Sequence, residues 1–322
     1  MVAILISAIG LMPVFLFGCT GEIITEKSGH LNLGIPGIVC AGAAGGSLGV
    51  YLYVNSLSGG SASYLLLILT AIIGAVCFAA LLGAIYAFLT VSLRCNQNIS
   101  GLALTTFGTG LSDFVMKSFV DHNVTASVSL IFNKGLSFAN DLGWFGQIFL
   151  SHSLLAYISV AIAIAAAIII KRTKLGLRLR AIGENPAAAD AVGIKVNRYK
   201  YLAILIGSGI AGLGGMYFNM TVTGGYYDSY FAIEALGWLA VALVIFTLWR
   251  PNIAVIGSIL FAALYVLPDK LNIAVDMNHL KEAIKIVPYI VTVLVLLIIS
   301  ITGGKQTQPP ESLGVNYFRE ER

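Results

Sequence analysis

The sequence predicts an all-α membrane protein: a polytopic bundle of about nine transmembrane helices, at least one of them broken, with a short helix in a loop on one side. Three observations predict it. Of 322 residues, 58% are hydrophobic and 11% charged, with a mean hydropathy of +0.90, which is too apolar and too poor in charge for a soluble domain. Residues 28–93, 142–170 and 201–227 contain no Asp, Glu, Lys or Arg, and each run holds at least one crossing at roughly twenty residues per span. Between the last two runs lies KRTKLGLRLRAIGENPAAADAVGIKVNRYK, residues 171–200, with eight of the nineteen basic residues against Glu184 and Asp190. Short loops rich in Lys and Arg stay on the cytoplasmic side, so this segment orients the chain.

Taken in order, residues 1–21 are uncharged and form a first span, followed by a polar interruption over residues 22–34. Two spans must fit within residues 28–93, with their turn near residues 55–63. The glycines and Pro36 make a straight first helix there improbable, and broken helices are tolerated in a membrane only where their free backbone groups face protein or a water-filled cavity. Residues 29–37 therefore read either as a glycine-rich helix contact or as the lining of a substrate path. Arg94 marks a cytosolic boundary, after which Asn96, Gln97 and Asn98 open the next apolar run. Amides entering a membrane cap a helix end or face the path; capping is the preferred reading. Residues 113–141, with mixed charges, read as an external segment.

The run 142–170 returns the chain to the basic loop, and 201–227 leads away from it. Gly207 to Gly212 formally match GxGxxG, but no strand precedes them and they lie within an apolar helix, so no nucleotide site is read there. Gly207, Ala211 and Gly215 recur every fourth residue, the small-residue spacing that lets membrane helices approach closely. Residues 231–249, 252–267 and 286–302 supply the last crossings before a polar tail. Alternating sides gives nine spans, or one fewer or more if residues 22–34 lie within the membrane. Arg94, Arg250 and the C-terminus then share the side of the basic loop, and the N-terminus lies outside with residues 121–141, 224–234 and 268–283. The expected organisation is one membrane domain, 1–304, holding the loop 171–200, and a cytoplasmic tail, 305–322.

Within the basic loop Asn185 can cap a helix, Pro186 suits its first position, Ala187 to Ala191 favour helix and Gly193 can supply a left-handed stop. Such a loop either anchors topology or docks on another protein. A pI near 8.8 and a net charge of +4 do not point to nucleic acid, because eight basic residues sit in the one loop. Cys19, Cys40, Cys77 and Cys95 lack CxxC spacing and read as small buried hydrophobes, so no metal site and no disulfide is expected. No cleavable signal is expected either, since the first apolar run lacks a basic leader. A proton-driven carrier usually needs ionisable groups inside its spans, and the three long runs have none. Neither an HExxH pair nor a GxxxxGK[ST] phosphate loop is present, so no catalytic residue is assigned and ATP hydrolysis falls to a partner.

The run Gly176 to Pro186, with Ala188-Ala189-Asp190 and Gly193-Ile194, closely resembles the cytoplasmic loop of ATP-binding-cassette importer permeases of the simple sugar, nucleoside and branched-chain amino acid branch. Ser28, Gly29, Asn32, Leu33, Gly34 and Gly37 resemble an early signature of the nucleoside-type permeases, from which His30 and Pro36 depart. Asn96-Gln97-Asn98-Ile99-Ser100-Gly101 and the run from Pro288 to Thr292 are also similar, whereas Trp238 and Leu239 stand where an arginine is usual. The resemblance implies a permease translocating a nucleoside, purine by preference and a simple sugar otherwise, across the bacterial inner membrane by alternating access. It implies a partner ATPase subunit that uses ATP and Mg, a second and unlike permease forming a heterodimer, an external substrate-binding protein or lipoprotein, and a lipid bilayer around them. In the family this loop holds a coupling helix, so ATPase contact is expected at Arg178, Arg180, Gly183, Glu184, Asn185, Pro186, Asp190 and Gly193. Asn32, Gly34, Asn98 and Phe107 are the expected path lining, and Gly207, Ala211 and Gly215 the helix packing.

Overall fold

A computed structural model of the chain describes residues 2–57, 62–135, 143–270, 283–284, 286–302 and 308–318. Most of 268–283 and part of 121–141, both expected on the far side from the basic loop, lie outside the described residues. Those described are helical, without strands. Helix α1 spans Val2–Glu26, α2 Ile35–Ser56, α3 Tyr64–Ala87 and α4 Gln97–Phe119. Short α5 (His122–Phe132) and α6 (Gly143–Phe149) precede α7 (Leu154–Arg172), and the basic loop folds as α8 (Lys174–Glu184) and α9 (Pro186–Ala191). Then come α10 (Val196–Tyr217), α11 (Phe231–Phe246), α12 (Pro251–Lys270) and α13 (Val287–Thr302).

Among the described residues, six helical stretches are long and apolar enough to cross a membrane: Val2–Glu26, Ile35–Ser56, Tyr64–Ser92, Leu154–Arg172, Val196–Val222 and Pro251–Pro268. The nine-span reading adds α4, α11 and α13. Of these, α11 is apolar over 16 residues, and α4 is 23 residues long but diluted by Asn98, Ser100, Thr105, Thr106, Thr109, Ser112 and Asp113. The structure differs from the sequence reading at Asp113. This residue lies inside α4, which continues to Phe119, where its carboxylate pairs with Lys117 one turn later at 2.8 Å.

The break expected in residues 29–37 falls at its start, in residues 27–34, which hold Gly29 and Gly34. Helix α2 itself is continuous, because Pro36 occupies its first turn, where no intrahelical donor is missing. Its glycines serve approach instead. A Cβ on Gly42 would strike the backbone of Gly212, and one on Gly215 would strike the Val39 carbonyl. The same seam continues on α1, where Gly21 faces Gly207 and Ala211. Helices α1, α2, α3 and α10 thus form a centre packed backbone to backbone, the arrangement open to helices in lipid, where close van der Waals contact replaces hydrophobic burial. Two π-helical turns, Phe88–Ser92 and Phe218–Val222, close α3 and α10. The second aims Asn219 at α2, donating from Nδ2 to Ser47 Oγ at 2.8 Å.

The turns sort onto two ends of the bundle. At one end, hereafter the loop end, the α1–α2 turn, the α3–α4 turn, α8, α9, Trp249 and residues 308–318 touch one another. At the far end Tyr227 donates to Asp113 at 3.0 Å, Thr125 to the Gly225 carbonyl at 2.8 Å and Asn133 to the Thr221 carbonyl at 3.1 Å.

Candidate functional site: the loop end

Helices α8 and α9 are fixed by local chemistry. Thr173 caps α8 by accepting from the Gly176 N–H at 3.1 Å, and α8 buries Gly176, Leu179, Ile182 and Gly183 on one face while Leu175, Leu177 and Arg178 point out. Asn185 caps α9 by accepting from the Ala188 N–H at 2.9 Å, with Pro186 next. Gly193 ends α9 at φ +84°, a conformation that costs other residues roughly 1 kcal/mol or more. Beyond α9, Val192 is 77% exposed.

The eight residues expected to meet a partner do not all face outward. Arg178 and Glu184 are exposed, but Arg178 donates to the Tyr199 hydroxyl at 3.0 Å, and Glu184 accepts from the Glu311 N–H at 3.4 Å. Arg180 is half-buried, with its Nε buried and unpartnered. Gly183 is buried against the Lys27 carbonyl and Pro310. Asp190 accepts from the Tyr317 hydroxyl at 2.7 Å.

Beneath α8 lies the elbow between α1 and α2. Its backbone groups are bonded by side chains from three helices. Glu22 accepts from the Asn32 N–H at 3.0 Å, Gln97 accepts from the Leu31 N–H at 2.9 Å, Tyr86 donates to the Leu31 carbonyl at 2.6 Å and Thr105 donates to the Leu33 carbonyl at 2.8 Å. The broken backbone is therefore satisfied inside protein, one of the two settings in which a membrane tolerates it. The Trp249 indole N–H donates to Glu26, and it reaches there from a turn in which Leu248 (φ 56°) and Trp249 (φ 55°) are both left-handed. Two such residues in succession store about 1–2 kcal/mol each. His30 is buried with neither ring nitrogen bonded, and burial, reinforced by Lys200, pushes its pKa well below the ordinary value. Burial also lowers Lys27, with Glu184 and Glu26 acting in the opposite direction.

The four expected path residues separate into two pairs. Asn32 and Gly34 sit in the elbow, Asn32 fully buried with its Oδ1 accepting from the Gly34 N–H at 2.9 Å and its Nδ2 unpartnered. Asn98 and Phe107 instead lie on the outward face of α4, Phe107 being 53% exposed beside exposed Leu102, Thr106 and Phe114. On α10, Gly207 lies against Thr25 and Gly21, Ala211 is fully buried and Gly215 lies against Val39. Among the described residues no group of three or more His, Cys, Asp or Glu could hold a metal ion, and the four cysteines are free.

Sequence reasoning missed Glu22, Glu26, Tyr86, Trp249 and the segment from Ser312 to Tyr317. The only signal for the first pair was their i, i+4 spacing at the end of an apolar run; the partners of the others are distant in sequence.

The family described as "Branched-chain amino acid transport system / permease component" matches residues 4–299. TsgC13 of Haloferax volcanii, named as a glucose ABC transporter permease, is 31% identical over 95% of this chain and 94% of its own. The nucleoside ABC transporter permease NupC of Lactococcus lactis is 28% identical over 95% and 93%, and the guanosine ABC transporter permease NupQ of Bacillus subtilis 28% over 94% and 92%. The chain belongs to this permease family and is a multi-pass membrane subunit of an ATP-binding-cassette transporter.

Proposed function

We propose that this permease carries a nucleoside, purine by preference, into a bacterial cell by alternating access, with hydrolysis of ATP and use of Mg on the partner ATPase. The coupling contact is α9 with its flanks: Arg178, Arg180, Glu184, Asn185, Pro186 and Asp190, with Gly183 and Gly193 shaping its ends. The observation that carries this reading is a short helix at the loop end, capped by Asn185 and stopped by left-handed Gly193, with apolar Val192 and basic Lys195 and Arg198 exposed beside it. In this reading the loop end and residues 305–322 are cytoplasmic, the N-terminus is outside, and residues 1–304 form one domain.

A second, unlike permease completes the channel. Support comes from the outward face of α4, where Asn98 and Thr106 interrupt an otherwise apolar surface; polar groups at membrane depth face protein or a water-filled path. Asn98 and Phe107 then line that path, and Asn32 and Gly34 set the start of the neighbouring α2. An external binding protein delivers the cargo. The rival cargo is a simple sugar, favoured by the 31% identity to a relative named for glucose.

Uptake of labelled nucleosides and of ribose by cells carrying the chain with its neighbouring transport genes tests both. Guanosine or adenosine uptake abolished by Glu184→Lys at unchanged membrane levels supports the coupled nucleoside reading. Ribose uptake with the same sensitivity transfers it to sugars, and uptake that survives the charge reversal but collapses with the proton gradient overturns ATP coupling.

A further inference from the structure

We propose that the C-terminal segment from Ser312 to Tyr317 is a strap that carries displacement of α9 to the starts of α2 and α4, with Tyr317 as its positioning residue. The segment joins three turns at once. Ser312 donates from both its N–H (3.0 Å) and its hydroxyl (2.6 Å) to the Gly183 carbonyl at the α8–α9 junction. Gly314 donates to the Gly29 carbonyl of the elbow at 3.3 Å, and Gly29 is left-handed (φ +84°) with Ser312 occupying the space a Cβ would need. Asn316 donates to the Arg94 and Cys95 carbonyls at 2.7 and 3.1 Å and accepts from Gln97 Nε2 at 3.2 Å. Tyr317 closes the chain of contacts, its ring packed with Ile182, Ala189 and Val196 and its hydroxyl on Asp190.

The direction of transfer follows from what each end holds. The contacts at Gly29 and at 94–97 lie at the starts of α2 and α4, beside Asn32 and Gly34 in the elbow that leads into α2 and ahead of Asn98 and Phe107 on α4. Gln97 binds both sides, since its Nε2 meets the strap and its Oε1 meets the Leu31 N–H. A pull on α9 through Asp190 and Gly183 therefore reaches both helix starts along hydrogen bonds, whereas a free tail would leave α9 joined to α2 and α4 through the packing of α8 and α10 alone. The inference rests on the reading of α9 as the ATPase contact.

The test uses the whole transporter, with its second permease and ATPase, reconstituted in lipid vesicles. Tyr317→Phe removes one hydroxyl and keeps the ring, so the expected result is roughly a tenfold fall in substrate moved per ATP, the worth of one hydrogen bond to a carboxylate, with the ATPase still copurifying. An unchanged ratio in Tyr317→Phe overturns the strap. Spin labels at exposed positions 192 and 315 supply an independent readout, expected to keep one sharp separation in nucleotide-free and ATP-trapped states. If the label at 192 is immobilised by the ATPase while the separation broadens, the strap alone fails; if it stays mobile when the ATPase binds, the docking reading fails and the strap's coupling role with it.

Discussion

The elbow between α1 and α2 and the α8–α9 loop are both polar interruptions in an apolar chain, yet they are held in opposite ways. In α9 each end is satisfied by a residue within a few positions: Asn185 caps it, Pro186 starts it and Gly193 stops it. In the elbow one cap comes from Glu22 on α1, but the others come from Tyr86, Gln97 and Thr105 on two other helices, and the buried carboxylate of Glu26 is met by Trp249, 223 residues away. A locally fixed element keeps its shape when it moves relative to the bundle. One fixed by distant side chains has its shape only while those helices stay together.

Breaking the elbow should therefore be felt globally. Trp249→Ala removes a buried ring and leaves the Glu26 carboxyl without its donor, and loss of about 3–5 kcal/mol is expected; thermal unfolding in detergent measures it, and a native-like midpoint would remove the elbow from the list of structural centres. A smaller, pH-dependent effect follows from His30. Its folded pKa lies below the ordinary value near 6.5, so the folded chain holds it neutral and the unfolded chain binds the extra proton. Its stability is complete above pH 6.5 and falls as pH drops through that value, by up to about 1.4 kcal/mol per pH unit. Unfolding midpoints measured from pH 7 to pH 5 should fall less steeply in His30→Leu than in the native chain; equal slopes would mean that the imidazole is hydrated in the fold.

The smallest effect sharpens the other side of the comparison. Asn185→Ala removes a cap worth about 1 kcal/mol and should raise amide exchange across α9 only, leaving the elbow and the global midpoint unaltered. Exchange that rises at residues 27–34 as well would show the two regions to be one cooperative unit.

The same contrast explains what the sequence makes readable. The bundle follows from the uncharged runs, and α9 follows from Asn185, Pro186 and Gly193, because the physics of each is contained in a short window. Helix α8 was not anticipated, since its apolar face of Leu179 and Ile182 is masked by interleaved basic residues. The extension of α4 through Asp113 was hidden because its carboxylate is met by Lys117 and Tyr227, the second from the far end of the chain's fold. Asn32 and Asn98 carry the same expectation of lining the path, yet one is sealed in the elbow and the other faces outward. Nothing in the residues themselves separates them; the neighbours do.

The glycine seam along α10 has a mechanical meaning. A helix can slide on a smooth neighbour, but not on one whose carbonyls are notched into its own backbone, as Val39 is at Gly215 and Gly212 is at Gly42. Rotation or translation of α10 would require the helices first to separate, losing every contact along the notch. The inner four helices are consequently a spine that turns as one piece.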